Sequence, residues 1–350
     1  MKWPWPGKRP TETLVVACDD HGFAYVQAEA GSALQRRISR CGVLPRGDDS
    51  LQDYARRIRA LGLPARQVTA VLPLAKCQLL QIEAPGVPPE ELKAAARWRI
   101  KDLVETHLDD LTLDVMHVGD ERPRTQKHVF VAAAANSAIA EVTGLLAAVG
   151  MTLQAIDIRE TAQRNLQSAL AQTLGLRERA TAVLMVHGAQ CLLTISANDE
   201  LFYTRRLDWD ESSVAAAAAP AGVSASAVDV FSQPLHALDG TDMPDIVDYG
   251  AEPEAGSAQT VDVPRLVVEL QRSFDVWERS WPELPLASVV VEASAHSAAL
   301  AGMLERELGL RVEALDLARV FSGLDTLADT DRASCLPLLG ALLRSETRKP

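Results

Sequence analysis

AVLMVHGAQCLLTISANDELFYTR, residues 182–205, is the stretch on which the reading of this fold turns. Ala182 to Val186 is an apolar run, His187-Gly188-Ala189-Gln190 is a polar turn with a glycine, and Cys191 to Ile195 is a second apolar run. After the turn Asn198-Asp199, Glu200 to Arg205 makes a third strand candidate. Apolar, β-prone runs divided by turn residues predict antiparallel hairpins. The chain opens in the same order, with Leu14 to Ala17, the cluster Cys18-Asp19-Asp20-His21-Gly22, and Phe23 to Ala28. Two copies of one supersecondary unit so far apart predict an internal duplication.

Working outward, Gln52 to Leu61 reads as helix, with Tyr54, Ile58 and Leu61 on one face. Val68 to Leu74 and Cys77 to Ile82 are strand candidates, with Pro73 marking a turn or strand end between them. Pro88-Pro89-Glu90-Glu91 opens a helix well, because proline is tolerated in the first turn and carboxylates there face the positive end of the helix dipole. That helix is expected over Glu90 to Val104, with Leu92, Ala96, Ile100 and Leu103 on a common side. Leu111 to His117 and His128 to Ala133 follow as strands, and Ser137 to Val149 as a helix stopped by Gly150. Residues 68–150 are therefore expected to form an α+β module with its own core.

Toward the C-terminus, Val263 to Ser280 is an amphipathic helix with Leu266, Leu270, Phe274 and Trp277 in one stripe. Leu286 to Val291 reads as a buried strand, Ala295 to Leu308 as a helix closed by Gly309, and Arg311 to Leu315 as a further strand. Strand–helix–strand alternation points to α/β layers. Residues 215–260 lack sustained periodicity and read as a variable, loop-rich segment.

Composition narrows the function. A chain of 350 residues, 47% hydrophobic, is long enough for about two domains with sizeable cores. A formal net charge of −12 disfavours nucleic acid and anionic membrane surfaces as partners. The five cysteines (Cys18, Cys41, Cys77, Cys191, Cys335) are scattered, without a CxxC pair, and suit a reducing compartment. No run of about 18 apolar residues occurs, and MKWPWPGKRP lacks the apolar centre of a secretory signal, so a cytoplasmic location is expected. Residues 1–12 read as a flexible tail, although Trp3 and Trp5 beside Lys2, Lys8 and Arg9 would also suit a lipid headgroup boundary.

Catalytic constellations are scarce. GxxxxGK[ST] and GxSxG are both absent, so neither a P-loop motor nor a Ser294–His296 hydrolase is indicated. His107 and His117 sit on different elements and read as ordinary surface or turn residues. Trp277 and Trp281, about one helical turn apart, read as core.

Four collinear blocks carry a family resemblance. They are the 14–29 hairpin, Leu113 to Ile158 with LDVMHVG, HVFVAAAANSAI and AAVGMTLQAIDI, residues 266–294 (LVVELQRSFDVWERSWPELPLASVVVEAS), and 332–344 (RASCLPLLGALLR). In order and spacing they resemble the PilM branch of the actin-like ATPase superfamily. KCQLLQIEAPGVPPEELKAAARWRIKDLVE at 76–105, with Arg97 and Arg99 flanking Trp98, is similar to the MshI proteins of MSHA pilus biogenesis rather than to PilM proper. The resemblance implies an α/β, two-lobed actin-like fold with RNase H-like βα cores. It implies a first lobe from 13–67, 151–180 and 322–350, an inserted α+β subdomain at 68–150, and a second lobe at 181–321.

In such a family nucleotide lies between the lobes, cradled by glycine-bearing hairpin turns, with an Asp in each lobe to organise Mg²⁺ and water. The turn expected to read DxGxxxxK has Ala17 at the Asp position and Asp19 at the Gly position. The turn expected to read DIGxxxT runs Val186-His187-Gly188-Ala189, keeping the glycine and losing the acid. Val291-Glu292-Ala293-Ser294 stands where a paired glycine would approach adenosine. Asp19, Asp20, His21, Gly22, Gly188 and Ala189 are thus the residues of two altered phosphate turns. No catalytic residue, no metal and no cofactor are expected, ATP with Mg²⁺ being the one candidate. The implied function is a non-enzymatic scaffold at the inner face of the inner membrane, docking the cytoplasmic tail of a single-pass PilN/MshJ-like pilus assembly protein in a groove between the first lobe and the 68–150 subdomain. The competing reading is a working ATPase or kinase in which Asp19 and Asp20 replace the lost acids.

Overall fold

The computed structural model describes residues 12–19, 22–29, 34–63, 67–119, 127–212 and 265–345. The expectations for residues 1–11, for Asp20 and His21 and for segment 215–260 fall outside them. The chain begins with strands β1 (Glu12–Asp19) and β2 (Gly22–Glu29), paired antiparallel with Asp19 opposite Gly22. β3 (Arg36–Pro45) extends this meander. It carries Arg36, Arg37 and Arg40 and buries little beyond Ile38 and Gly42, which is why no apolar alternation marks it in the sequence. Helix α1 (Leu51–Ala60), capped where the Asp53 amide donates to the Ser50 hydroxyl at 3.2 Å, returns the chain to β4 (Gln67–Leu72), parallel to β1.

Next come β5 (Cys77–Glu83), α2 (Pro89–Arg99), β6 (Leu111–His117) and β7 (His128–Ala135), whose strands form a separate sheet in the order β5-β7-β6. Val68 to Leu72 does not join it: β4 pairs with β1 and with β8 (Thr152–Ile158), so this strand belongs to the first sheet and not to the inserted module. Its run suits a central parallel strand, with Val68, Ala70 and Leu72 buried toward one face and Val71 toward the other. The expected helix over Glu90 to Val104 stops at Arg99. Ala96 and Ile100 are buried in the small cluster under the three-stranded sheet, the chain turns there, and Leu103 is left 55% exposed. Helix α3 (Asn136–Val149) ends at left-handed Gly150 and packs its Val142, Leu145 and Leu146 with Tyr54 and Ile58 on the first sheet.

Helix α4 (Arg159–Thr173) then leads into β9 (Ala180–His187), β10 (Gln190–Ala197) and β11 (Glu200–Asp208), the second meander. Helix α5 (Arg265–Ser280), β12 (Leu286–Glu292), α6 (Ser297–Leu308), β13 (Val312–Ala314), β14 (Phe321–Ser322) and α7 (Asp329–Leu342) complete the described chain. The sheets run β14-β3-β2-β1-β4-β8 and β11-β10-β9-β12-β13. In each, an antiparallel meander is followed by two strands parallel to its first strand. That is the duplication anticipated from the paired hairpins.

Helix α4 is buried on nearly every side. Ala162, Leu166 and Leu170 pack with β1, β2 and α7, whereas Gln163 and Gln167 reach the second sheet. Gln163 Nε2 donates to the Val183 and Leu192 carbonyls, each at 2.9 Å, and Gln167 Nε2 donates to the Thr181 hydroxyl at 3.0 Å. One lobe is thus joined to α4 by apolar packing and the other largely by hydrogen bonds. Helix α7 crosses α4 so closely that a Cβ at Gly340 would lie 1.7 Å from the Ala162 carbonyl oxygen.

Candidate functional site

Both hairpin turns come to the N-terminus of α4. In the first, the Gly22 amide donates to Asp19 Oδ1 at 3.0 Å. Gly22 is demanded there, because its φ is +154° and a Cβ would meet the Leu44 carbonyl oxygen at 2.4 Å. In the second, Gly188 takes φ +64°, and the Ala189 carbonyl accepts from the Trp209 amide at 2.9 Å. Four of the six expected turn residues are therefore placed, Asp19 and Gly22 in one turn and Gly188 and Ala189 in the other.

At the first position of α4 stands Arg159, which lines one void with His187 of the second turn. Its Nη1 is buried without a hydrogen-bond partner. Burial pushes the guanidinium down to about 10, against the opposing pull of Asp19 and Glu160. A signal was present in the sequence: a cation at the first position of a helix opposes the helix dipole and asks for a compensating anion. His187 Nε2 and Gln163 Oε1 are likewise buried and unpartnered, and with Arg159 they line one void of about 10 Å³. Burial, reinforced by Arg159 and Arg206, lowers the His187 imidazole to about 3, so it is neutral near neutral pH.

Ion pairs brace this end of α4. Glu160 is 2% exposed and accepts from Arg206 Nη2 at 2.7 Å, while the same guanidinium donates to the carbonyls of Leu74 at 2.8 Å and Cys77 at 2.7 Å. Arg206 thereby ties β11, α4 and the start of β5 together. Asp157 takes the Ile158 amide at 3.0 Å and the Thr161 hydroxyl on Oδ1, and Arg344 stands 3.4 Å from its Oδ2. The other residues weighed in the sequence are structural or superficial. Trp277 and Trp281 stack at 5.7 Å and meet Phe202 edge-on in the second core. His296 bonds Glu211 at 2.7 Å.

A second concavity, of about 250 Å³, lies within the inserted module, between its three-stranded sheet and the start of α3, and not at the expected boundary between the first lobe and residues 68–150. Lys76, Cys77, Glu105, Ala135, Ser137 and Glu141 form its walls. Lys76 and Arg46 each stand 3.8 Å from the Glu141 carboxylate, and the Arg206 bond to Cys77 joins this wall to the cleft.

Two sheets of like order, with α4 and α7 crossing between them and a third small sheet inserted after β4, define the actin-like ATPase fold. No family model matches the chain, and no curated protein matches it. Among solved structures, a PilM-PilN type IV pilus biogenesis complex superposes with a TM-score of 0.63 at 16% identity, covering 95% of this chain and 98% of that one. A Bacteroides thetaiotaomicron protein with an actin-like ATPase fold and unknown function gives 0.45 at 7% identity, covering 91% and 96%. The cytoplasmic domain of EpsL, an inner-membrane component of the Vibrio cholerae type II secretion system, gives 0.41 at 15% identity, covering 62% and 78%. The first supports the fold, and the other two are more remote. No described helix is long and apolar enough to cross a membrane.

Proposed function

We propose that this chain is a cytoplasmic scaffold of a type IV, MSHA-type pilus assembly complex at the inner membrane, and that it acts by binding and not by catalysis. In this reading it docks the cytoplasmic tail of a single-pass PilN/MshJ-like partner. The observation that carries the reading is the groove of about 250 Å³ within the inserted module, between its three-stranded sheet and the start of α3. Its small wall residues leave depth for a chain segment, and Lys76, Glu105 and Glu141 at its margin supply both charges for orienting one. The likeness of nearly the whole chain to a PilM-PilN complex supports the choice of partner class.

The nucleotide cleft fits ATP with Mg²⁺ poorly. The Gly22 amide, which a phosphate would need, is taken by Asp19, and a carboxylate faces the place of the anion. At the positions of the two expected acids stand Ala17 and Val186. A phosphate-release assay is expected to give no turnover above background; turnover lost in Asp19→Ala or Asp20→Ala would make the chain an ATPase instead. For the docking reading, deleting the partner's cytoplasmic tail should abolish recruitment of this protein to the membrane fraction. Ser137→Trp, which fills the groove from an exposed position, should weaken binding of the isolated tail peptide at least tenfold. Unchanged recruitment after tail deletion would defeat the proposal.

A further inference from the structure

We propose that the C-terminal end of α2 is a contact for an anionic lipid surface, where Trp98 and Leu103 enter the headgroup layer and Arg99 and Lys101 meet lipid phosphates. Trp98 is 70% exposed and Leu103 55%, the two largest exposures among the large apolar side chains of the described residues. Between them Ile100 is fully buried with Leu108, Leu111 and Val129. The chain turns tightly about that anchor, the Leu103 amide donating to the Ile100 carbonyl at 2.9 Å. Trp98 and Leu103 are therefore held at the surface on either side of a packed side chain, and their exposure is a property of the folded module. Arg97 serves the module itself, pairing with Asp109 at 3.0 Å and donating to the Leu108 carbonyl. Arg99 and Lys101 are exposed, and among the described residues no carboxylate pairs with either.

A tryptophan beside cations has the chemistry of the membrane boundary. The indole settles at headgroup depth, and Lys and Arg lay their stems on apolar surface while their charged ends reach phosphates. Trp98 lines neither the groove nor the small void, so its ring stands outside both concavities. A protein partner would need a pocket shaped to that ring, whereas a headgroup layer accepts it without one. The same combination occurs once more in the sequence, where Trp3 and Trp5 stand among Lys2, Lys8 and Arg9. The formal charge of −12 does not oppose the contact, because eight acidic residues and no Lys or Arg fall in residues 213–264, and salt confines each charge to a range of about 8 Å. Two cations and one indole give a weak hold, so the contact orients and strengthens a protein already brought to the membrane. To that extent it rests on the reading of the chain as an inner-membrane scaffold.

The test is flotation of the full chain with vesicles at millimolar lipid, made either of phosphatidylcholine alone or with about one third phosphatidylglycerol. The anionic vesicles should carry several times more protein than the neutral ones. That excess should collapse between about 0.1 M and 1 M salt, as the screening length falls from about 10 Å to about 3 Å. Trp98→Ala should lower the bound fraction at least about threefold, and Arg99→Ser with Lys101→Ser should bring anionic vesicles down to the neutral level. All three positions are exposed, so thermal midpoints should stay at the wild-type value. Val276→Ala, at an exposed apolar position of α5, should float as the wild type does. A wild-type chain that fails to float, or that floats equally with neutral vesicles, would overturn the inference. So would undiminished flotation of Trp98→Ala, and its loss in Trp3→Ala with Trp5→Ala would then move the contact to the N-terminus. Tail docking is read separately, from peptide binding without lipid, so neither result decides the other.

Discussion

Truncating Arg206 leaves Glu160, at 2% exposure, as a buried carboxylate without its cation. Breaking such a pair costs about 3–5 kcal/mol, so Arg206→Ala should lower the urea midpoint steeply, whereas Arg311→Ala, at a solvent-exposed pair with Glu313, should change it by less than about 1 kcal/mol. Equal effects would contradict the assignment of Arg206 as a tie between β11, α4 and the groove wall. His187 gives a pH signature. Its folded-state value, about 3, lies below the ordinary 6.5, so the unfolded chain takes up a proton that the folded chain refuses. Its contribution to stability is complete above about pH 6.5 and is lost progressively as pH falls toward about 3. In His187→Gln the decline of stability over that window should be shallower, as read from urea midpoints across the range. The two turns were legible from their short patterns, whereas Arg159 belongs to no such pattern and its burial depends on residues far away in the chain.

Among the elements, the crossing of α4 and α7 is the tightest point, and it sets two glycine substitutions against each other. Gly340→Ala drives a Cβ against the Ala162 carbonyl and should destabilise by at least the ~1–3 kcal/mol typical of overpacking, since the obstacle is backbone. Gly302→Ala lies in α6 with only the tip of Arg306 nearby, at 3.9 Å, and should stabilise by about 0.5–1 kcal/mol through helix propensity. Thermal midpoints moving in the same direction would refute the crossing. Elements with strong periodicity were legible: Leu266, Leu270, Phe274 and Trp277 form a buried stripe on α5 as their spacing predicts. β3 was not legible, because its partners supply its stability and its arginines mask the pattern. The end of α2 was misplaced for a related reason: Ile100 is drawn into the cluster with Leu108, Leu111 and Val129, and that contact turns the chain before Leu103 can follow it.

For the whole molecule, α4 is shared. Met185 of β9 packs in the same cluster as Val15, Leu166 and Leu339, so unfolding either lobe alone would expose a helix that both lobes bury. Calorimetry should accordingly record one cooperative transition, and two resolved transitions would mean that the hydrogen bonds of Gln163 and Gln167 do not couple the lobes. The sequence by itself determined the repeated hairpins, most helices and the α/β class, since each depends on local periodicity or on the identity of a residue in a short pattern. The tertiary structure decided that β4 belongs to the first sheet, that a groove opens beside the inserted strands, and that Arg159 and His187 line one small void. Those outcomes rest on parallel strand pairing and on contacts made by residues far apart in the chain, and no local spacing encodes the burial of Arg159.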